Sequence, residues 1–367
     1  MIVRGITLDF FRNYLHFEAK FDPRVNIIVG ENAQGKTNLL EAIGYLSSAS
    51  SHRARYDREL IQLGVDRAFV QGVIDSRGRE ITLEAQLTRG ARRQLLANGV
   101  RLRTLAELSG LLQTVRFCPE DLYLIREGAV VRRRFLDDCI GQLRPRYAQA
   151  MSEYRKLLES KTRILKDWEE KPSLLDPLDD FSLRMAQWGA ILIHYRAHFI
   201  KRLRETAPAI HADCSGGRER LSLHYHTVSA VADPEAPPKE LLPQLLAHQE
   251  AHRKAELDSR SCLSGPHKDD LVVEIDGQPA KTFASQGQTR TAALALKLAA
   301  RDIFYQDVGE WPVLLLDDVL SELDARRQEF VLNRIVDGQV FITCCEEEKR
   351  ELLRQGAVFH ISGGALV

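Results

Sequence analysis

Val25-Asn26-Ile27-Ile28-Val29-Gly30-Glu31-Asn32-Ala33-Gln34-Gly35-Lys36-Thr37-Asn38-Leu39-Leu40-Glu41-Ala42-Ile43 is the stretch on which the fold turns. Its first five residues, apolar except for Asn26, read as a buried strand, and the spacing from Asn38 onward is helical. The octet between them fits G-x-x-x-x-G-K-[ST] in the strand-to-helix setting that this pattern requires. Glycines at both ends let backbone N–H groups turn inward around phosphates, and the helix N-terminus adds its positive end. Gly30, Glu31, Asn32, Ala33, Gln34, Gly35, Lys36 and Thr37 are therefore candidate nucleotide-binding residues. Lys36 is expected to reach the β- and γ-phosphates, and the Thr37 hydroxyl to bind Mg²⁺.

Such a loop needs a carboxylate at the end of a neighbouring buried strand, and Val313-Leu314-Leu315-Leu316-Asp317 supplies one. Asp317 is the expected metal-side acid. Asp318 follows it, placed to orient or deprotonate an attacking water. Ser321-Glu322-Leu323-Asp324 comes next and reads equally as a capping box at a helix start. Lys36 and Asp317 are 281 residues apart, far more than a compact domain of this kind needs, so a segment is inserted between them. Just ahead of the acidic strand, Phe283-Ala284-Ser285-Gln286-Gly287-Gln288 runs into an Ala/Leu-rich helix from Thr291 to Ala300. One nucleotide does not need two cradles on one chain. Ser285 and Gly287 are thus expected to address the γ-phosphate held by a second copy, a plain N-cap being the alternative.

Working outward, Ile6 to Phe10 reads as a strand, and Val70–Ile74 and Ile81–Leu87 alternate as antiparallel strands do. From Tyr147 to Trp168 and again from Leu178 to Phe199, apolar residues recur at steps of three and four, with Pro172 and Pro177 between. Two helices of about 25 residues, each roughly 37 Å long, make an antiparallel hairpin. A strand at Leu221–His226, a helix near Leu241–Leu257 and a strand at Leu271–Ile275 follow. The expected division is a discontinuous α/β domain over residues 1–125 and 263–367, with an inserted, mainly helical arm over 126–262.

The chain has 367 residues, 44% hydrophobic and 28% charged, which excludes wholesale disorder. It offers no apolar run long enough to span a membrane and no signal-peptide core at Met1–Ile6, so a cytoplasmic location is expected. Fifty-one basic residues balance fifty-one acidic ones, but unevenly. Arg89 to Lys156 carries fourteen basic against seven acidic, and Tyr305 to Val367 six against twelve. That asymmetry suits a nucleic-acid face and solvated helix faces equally well. Arg132-Arg133-Arg134, with Arg126, Arg144 and Arg146, could contact phosphates or pair with Asp137 and Asp138. The six cysteines contain no C-x-x-C pair, which points to reduced thiols rather than zinc. The pairs His194/His198 and His248/His252 have metal-compatible spacing without a carboxylate or thiol beside them, so packed histidines are favoured.

The ordered set of Gly30–Thr37 loop, Ser285-Gln286-Gly287-Gln288 turn, Leu314-Leu315-Leu316-Asp317-Asp318 strand and Ser321–Asp324 turn resembles the ABC-type ATPase heads of the SMC superfamily. Within it the chain resembles the RecF family of bacterial replication and repair proteins. The likeness spans nearly the whole length and includes Phe11-Arg12-Asn13-Tyr14, Phe117 to Leu122, Arg132 to Asp137 and Gly265 to Asp270. The resemblance implies a two-lobed ATPase head with a helical arm, ATP and Mg²⁺ as cofactors, and an ATP-dependent homodimer. It further implies binding of double-stranded and gapped DNA, and loading of RecA with RecR and RecO. Carried over by residue, Lys36, Asp317 and Asp318 become catalytic, Thr37 and Asp317 metal ligands, and Ser285, Gly287 and Gln288 the signature offered to a partner copy. Arg12 looks like the arginine that approaches nucleotide in related heads. Where transporter-type relatives carry Glu and a switch His, this chain has Asp318 and, at the end of a late strand, Cys344, which implies slow hydrolysis. Glu120 stands at the loop-Gln position, and Cys118 replaces a serine. The rival readings are an ATP-binding scaffold that does not hydrolyse, and a non-DNA ATPase module.

Overall fold

The computed structural model describes residues 1–345 and 356–367. These divide into two units, Met1–Tyr123 with Ala293–Val367, and Leu124–Ala292.

The first unit begins with β1 (Ile2–Phe11), β2 (Tyr14–Lys20), β3 (Val25–Val29) and α1 (Lys36–Ser48). There follow β4 (Arg67–Ser76), β5 (Arg79–Thr88), β6 (Gln94–Ala97), β7 (Val100–Leu102), the single turn α2 (Leu105–Leu108) and β8 (Thr114–Phe117). The second unit holds α3 (Ala129–Leu143), α4 (Pro145–Asp167), α5 (Leu178–Ser215), β9 (Leu221–His226), α6 (Pro238–Ser259), β10 (Asp270–Ile275), β11 (Gln278–Pro279) and α7 (Ala280–Phe283). The boundary back to the first unit falls inside α8 (Gln286–Val308), after which come β12 (Val313–Leu316), α9 (Ala325–Arg334), β13 (Val340–Cys344), β14 (Ala357–Ser362) and β15 (Ala365–Leu366).

Two six-stranded sheets build the first unit. One is an antiparallel meander in the order β2-β1-β4-β5-β6-β7. Its β4 alternates buried and half-buried positions along most of its length, as expected of a strand with one face on a core. The other runs β15-β14-β3-β13-β12-β8, and its five strands from β14 to β8 are parallel. A parallel sheet is covered on both faces, which is why Val313–Leu316 and Val340–Cys344 are buried at every position. Helix α1 lies between the sheets: Leu39, Leu40, Ile43 and Leu46 share one core with Leu8, Val70, Ile74 and Leu83 of the meander and with Ile28, Leu315 and Phe341 of the parallel sheet.

The second unit is led by the expected helical hairpin of α4 and α5. Helix α5 is 38 residues long rather than about 25. It continues through Pro208 because its buried stripe continues, through Ile200, Leu203, Ala207, Ile210 and Cys214. Gly216, at φ 71°, closes it. The expected return to the α/β domain at residue 263 is corrected to the middle of α8. Strand β10 pairs with β9 along its whole length, Val272 opposite His224, so residues 263–292 fold with the arm and not with the head. Among the described residues no helix is long and apolar enough to cross a membrane.

Candidate nucleotide site

Strand β3 delivers its chain end at the centre of the parallel sheet, between β13 and β14. The loop that follows can have no side chain at its first position: a Cβ on Gly30 would sit 2.3 Å from the Ile361 carbonyl oxygen. Gly35, the residue before α1, has φ 119°, and a Cβ there would strike the Asn13 amide at 2.8 Å. These are the two glycines of the motif, and each is required by local geometry. The N–H groups of Gly35 and Lys36 donate no hydrogen bond among the described residues, as expected of a helix N-terminus built to meet an anion.

Lys36 is buried, and its ammonium donates to the carbonyls of Gly30 at 2.6 Å and Glu31 at 3.0 Å. Thr37 Oγ1 donates to Asp317 Oδ1 at 2.9 Å, and Thr343 Oγ1 donates to the same oxygen at 3.0 Å. Loop hydroxyl and strand-end carboxylate thus converge although 280 residues separate them. Burial raises the Asp317 carboxyl above its ordinary range, against the two hydroxyl bonds, which lower it. Hydroxyl and carboxylate oxygens are hard donors, the set that suits Mg²⁺. Asp318 is half-buried at φ 50°, its N–H donating to Thr343 Oγ1 at 2.8 Å.

The residue at the end of β13 differs from expectation. Cys344 is buried with Ile27 and Val29 on the far face of the parallel sheet. Cys345 is the one that reaches the site: its thiol accepts from Lys36 Nζ at 3.3 Å, donates to Asn32 Oδ1 at 2.9 Å and lies 3.9 Å from Asp318 Oδ1. It is the exposed member of six free cysteines.

Arg12 has its guanidinium on α1 rather than on the loop, bound to both oxygens of the buried Glu41. The neighbouring residues brace the loop in a way the motif does not announce. Asn13 Nδ2 donates to the Gln34 carbonyl at 2.9 Å, and the Tyr14 hydroxyl donates to the Gly35 carbonyl at 2.9 Å. From the other side, the β14–β15 turn holds Gln34, Gly363 N donating to its Oε1 at 2.6 Å and Gly364 N to its carbonyl at 2.9 Å. The signal for Asn13 was its place beside Arg12; the Gly363-Gly364 turn carried none.

Glu120 is exposed, while its neighbour Asp121 is buried and paired with Lys297 at 2.8 Å. The Asp121 carboxylate also accepts from the Cys118 N–H at 3.0 Å and its thiol at 3.2 Å. Ser321 does not cap a helix. It lies in a 3₁₀ turn with its hydroxyl on the Asp318 carbonyl at 2.6 Å, and Asp324 caps α9 through the Arg327 N–H at 3.0 Å.

In the second unit, Ser285 and Gln288 form a reciprocal capping box at the start of α8. Ser285 N donates to Gln288 Oε1 at 2.8 Å and Gln288 N to Ser285 Oγ at 3.2 Å, with Gly287 between them and Ser285 exposed. Arg132 is committed to structure: buried, it grips Asp270 at 2.7 and 2.8 Å and donates to the Glu127 carbonyl at 2.7 Å. Asp137 pairs with Arg196 at 2.8 Å. The paired histidines use their Nδ1 atoms on neighbours, His194 with the Ala236 carbonyl at 2.9 Å and His248 with Ser264 Oγ.

The RecF/RecN/SMC N-terminal domain family matches residues 2–359 of the chain. The DNA replication and repair protein RecF of Bacillus subtilis (strain 168) is 39% identical over 377 aligned positions that cover the whole of both chains. The chain belongs to the RecF family. Another member, RecF of Agathobacter rectalis, is 36% identical, with 99% of this chain and 98% of the relative covered. Among solved structures, the recombination mediator protein RecF with ATP, of the RecFOR pathway, has a TM-score of 0.91 at 32% identity, covering 100% of this chain and 97% of the other. An Smc head domain derived from Pyrococcus furiosus reaches 0.55 at 17% identity and shares the fold. The RecF-family chain thus has the ABC-type ATPase head fold of the SMC superfamily, with an added helical region.

Proposed function

We propose that this RecF-family chain is an ATP-operated DNA-binding mediator of recombinational repair and replication restart. The observation that carries the reading is the convergence of Thr37 and Asp317, because a loop hydroxyl and a strand-end carboxylate at 2.9 Å are the two protein contributions to a nucleotide–metal site. The relatives' names, and the ATP in a solved relative, support it.

In this reading Lys36 leaves the carbonyls of Gly30 and Glu31 for the β- and γ-phosphates, and the loop from Gly30 to Thr37 wraps them. Thr37 and Asp317 hold Mg²⁺, which supplies charge neutralisation on the phosphate oxygens when bound. Asp318 orients the attacking water. Ser285, Gly287 and Gln288 of one copy close on the nucleotide of a second, so that ATP joins two chains into a homodimer. The dimer binds double-stranded and gapped DNA through backbone phosphates, independent of sequence and sensitive to salt. With RecR and RecO it promotes loading of RecA, and slow hydrolysis releases the DNA.

The test is sedimentation of the wild type, Lys36→Met and Ser285→Arg without nucleotide, with ATP and with ADP, then with duplex DNA added. Dimerisation with ATP alone, lost in both variants and followed by DNA binding, is expected. A wild type that stays monomeric with ATP bound sinks the proposal. A scaffold that never hydrolyses is favoured by the thiol of Cys345, a poor base, beside Asp318; absence of phosphate release in the DNA-bound dimer selects it.

A further inference from the structure

The ladder between β12 and β13 ends on a side chain. Leu314 N–H donates to the Gln339 carbonyl at 2.9 Å, and the rungs of a parallel pair recur at every second residue, so the N–H of Asp318 falls to residue 343. There it meets the Thr343 hydroxyl, at 2.8 Å, in place of a carbonyl. The same hydroxyl gives its own hydrogen to Asp317 Oδ1 at 3.0 Å. A hydroxyl can accept and donate at once, which a methyl group of the same size cannot. Thr343 is only 1% exposed, so water does not compete for either bond.

Each bond fixes one of the two acids. The Asp317 backbone is already tied to β8, its N–H donating to the Phe117 carbonyl at 2.9 Å, and the bond from Thr343 then sets how the carboxylate is turned. Two hydroxyls converge on Oδ1, those of Thr37 and Thr343. Thr37 is the proposed metal ligand, so Thr343 is the donor that can stay with the carboxylate when a metal takes the other. Asp318 stands at φ 50°, in the left-handed region, where a residue other than glycine persists only when its surroundings hold it. The Thr343 hydroxyl is what holds its N–H.

We propose that Thr343 is a positioning residue for the nucleotide chemistry, its hydroxyl setting the Asp317 carboxylate for the metal and the Asp318 backbone for the attacking water. This rests on the function proposed above. In that reading Thr343 touches neither nucleotide nor metal and acts through the two acids alone.

The test compares wild type, Thr343→Val and Thr343→Ser as full chains, titrating each with ATP in Mg²⁺ and in EDTA, then following phosphate release at saturating Mg²⁺ and ATP with duplex DNA. Thr343→Val should keep the metal-free affinity within about twofold, because the Gly30–Thr37 loop is untouched, and should lose about tenfold of the affinity gained with Mg²⁺, as loss of one hydrogen bond to a charged group does. Phosphate release should fall by a similar factor, and Thr343→Ser, which keeps the hydroxyl, should restore both. In an Asp317→Ala background Thr343→Val should change the Mg²⁺ gain less than about twofold, since the group it acts through is gone. If urea unfolding shows that Thr343→Val does not fold, Thr343→Cys, a weak donor of similar volume, carries the same comparison. A merely structural Thr343 would lower metal-free and Mg²⁺ binding together, and that result, wild-type Mg²⁺ dependence in the valine variant, or failure of serine to restore it would overturn the inference. The binding comparison decides it whether or not the wild type turns over. A wild type that binds no ATP fails the proposed function itself and takes this inference with it, whereas Mg²⁺-dependent binding by the wild type beside an unaffected valine variant fails this inference alone.

Discussion

The Cys345 thiol lies 3.3 Å from the Lys36 ammonium, while the adjacent Cys344 points to the opposite face of the sheet. The two cysteines should therefore behave oppositely. N-ethylmaleimide should modify Cys345 first, because the other five thiols are buried, and the added bulk should block ATP binding. Cys345→Ser should bind ATP and resist the reagent, whereas Cys344→Ala should keep ATP binding and lose about 1 kcal/mol of stability to the small cavity it leaves. Nucleotide binding before and after labelling, with urea unfolding alongside, separates the two; equal protection of both thiols would refute the assignment.

Arg12 and Glu41 form a bidentate pair whose carboxylate is fully buried and whose guanidinium is mostly so. Removing either partner leaves a charge without its counterpart, so Arg12→Ala and Glu41→Ala should each cost about 3 kcal/mol. The double variant should cost clearly less than the sum, since the two lose one shared interaction. Strict additivity in chemical denaturation would show that the pair is not coupled.

The same logic applies in the arm to Lys161 and Glu256, both nearly inaccessible. Glu256 has a further duty, accepting from the N–H groups of Leu263 at 2.7 Å and Ser264 at 3.2 Å and so holding the start of the segment that leads to Gly265. Lys161→Met alone should destabilise by about 3–5 kcal/mol. Lys161→Met with Glu256→Gln should recover part of that, because the neutral amide keeps an acceptor for the two N–H groups. Thermal unfolding of the three proteins gives the comparison.

His267 supplies a pH dependence. Burial lowers its pKa from 6.5 to about 4, against the Cys262 carbonyl, which raises it. Between those values the unfolded chain binds a proton that the folded chain refuses, so stability falls as pH drops from 6.5 toward 4 and this contribution levels off below. The loss should total about 3 kcal/mol. Urea midpoints at pH 7, 6 and 5 should show the decline in the wild type and a shallower one in His267→Gln. Identical slopes would place the titration elsewhere.

The parts of the fold that could be read from sequence were those where one local pattern has one physical cause. Val25–Val29 and Val313–Leu316 match their strands residue for residue, because a short run dominated by Val, Ile and Leu and closed by Gly30 or Asp317 has no room for another structure. The convergence of Thr37 on Asp317 followed from the same pair of strands. What escaped was set by contacts distant in sequence. Strand β13 is buried on both faces, so hydropathy alone hides its parity and does not distinguish Cys344 from Cys345 as the cysteine that faces the site. The boundary at 263 failed because the pairing of β10 with β9 spans about fifty residues and leaves no mark in either strand alone. The Gly363-Gly364 brace on Gln34 is longer in range still.

The order of the parallel sheet has a consequence for synthesis of the chain. The two strands that flank β3 are β13 and β14, drawn from residues 340–362, so the loop carrying Lys36 has its braces from Asn13 and Tyr14 but no flanking strand until more than three hundred later residues have been made. The arm, whose pairings are all internal to residues 124–292, can fold on the ribosome well before that. Completion of the phosphate loop's surroundings is therefore among the last events in synthesis of the chain, and a product cut short before β13 would carry every residue of that loop without the flanking strands or the Gly363-Gly364 turn that close on it.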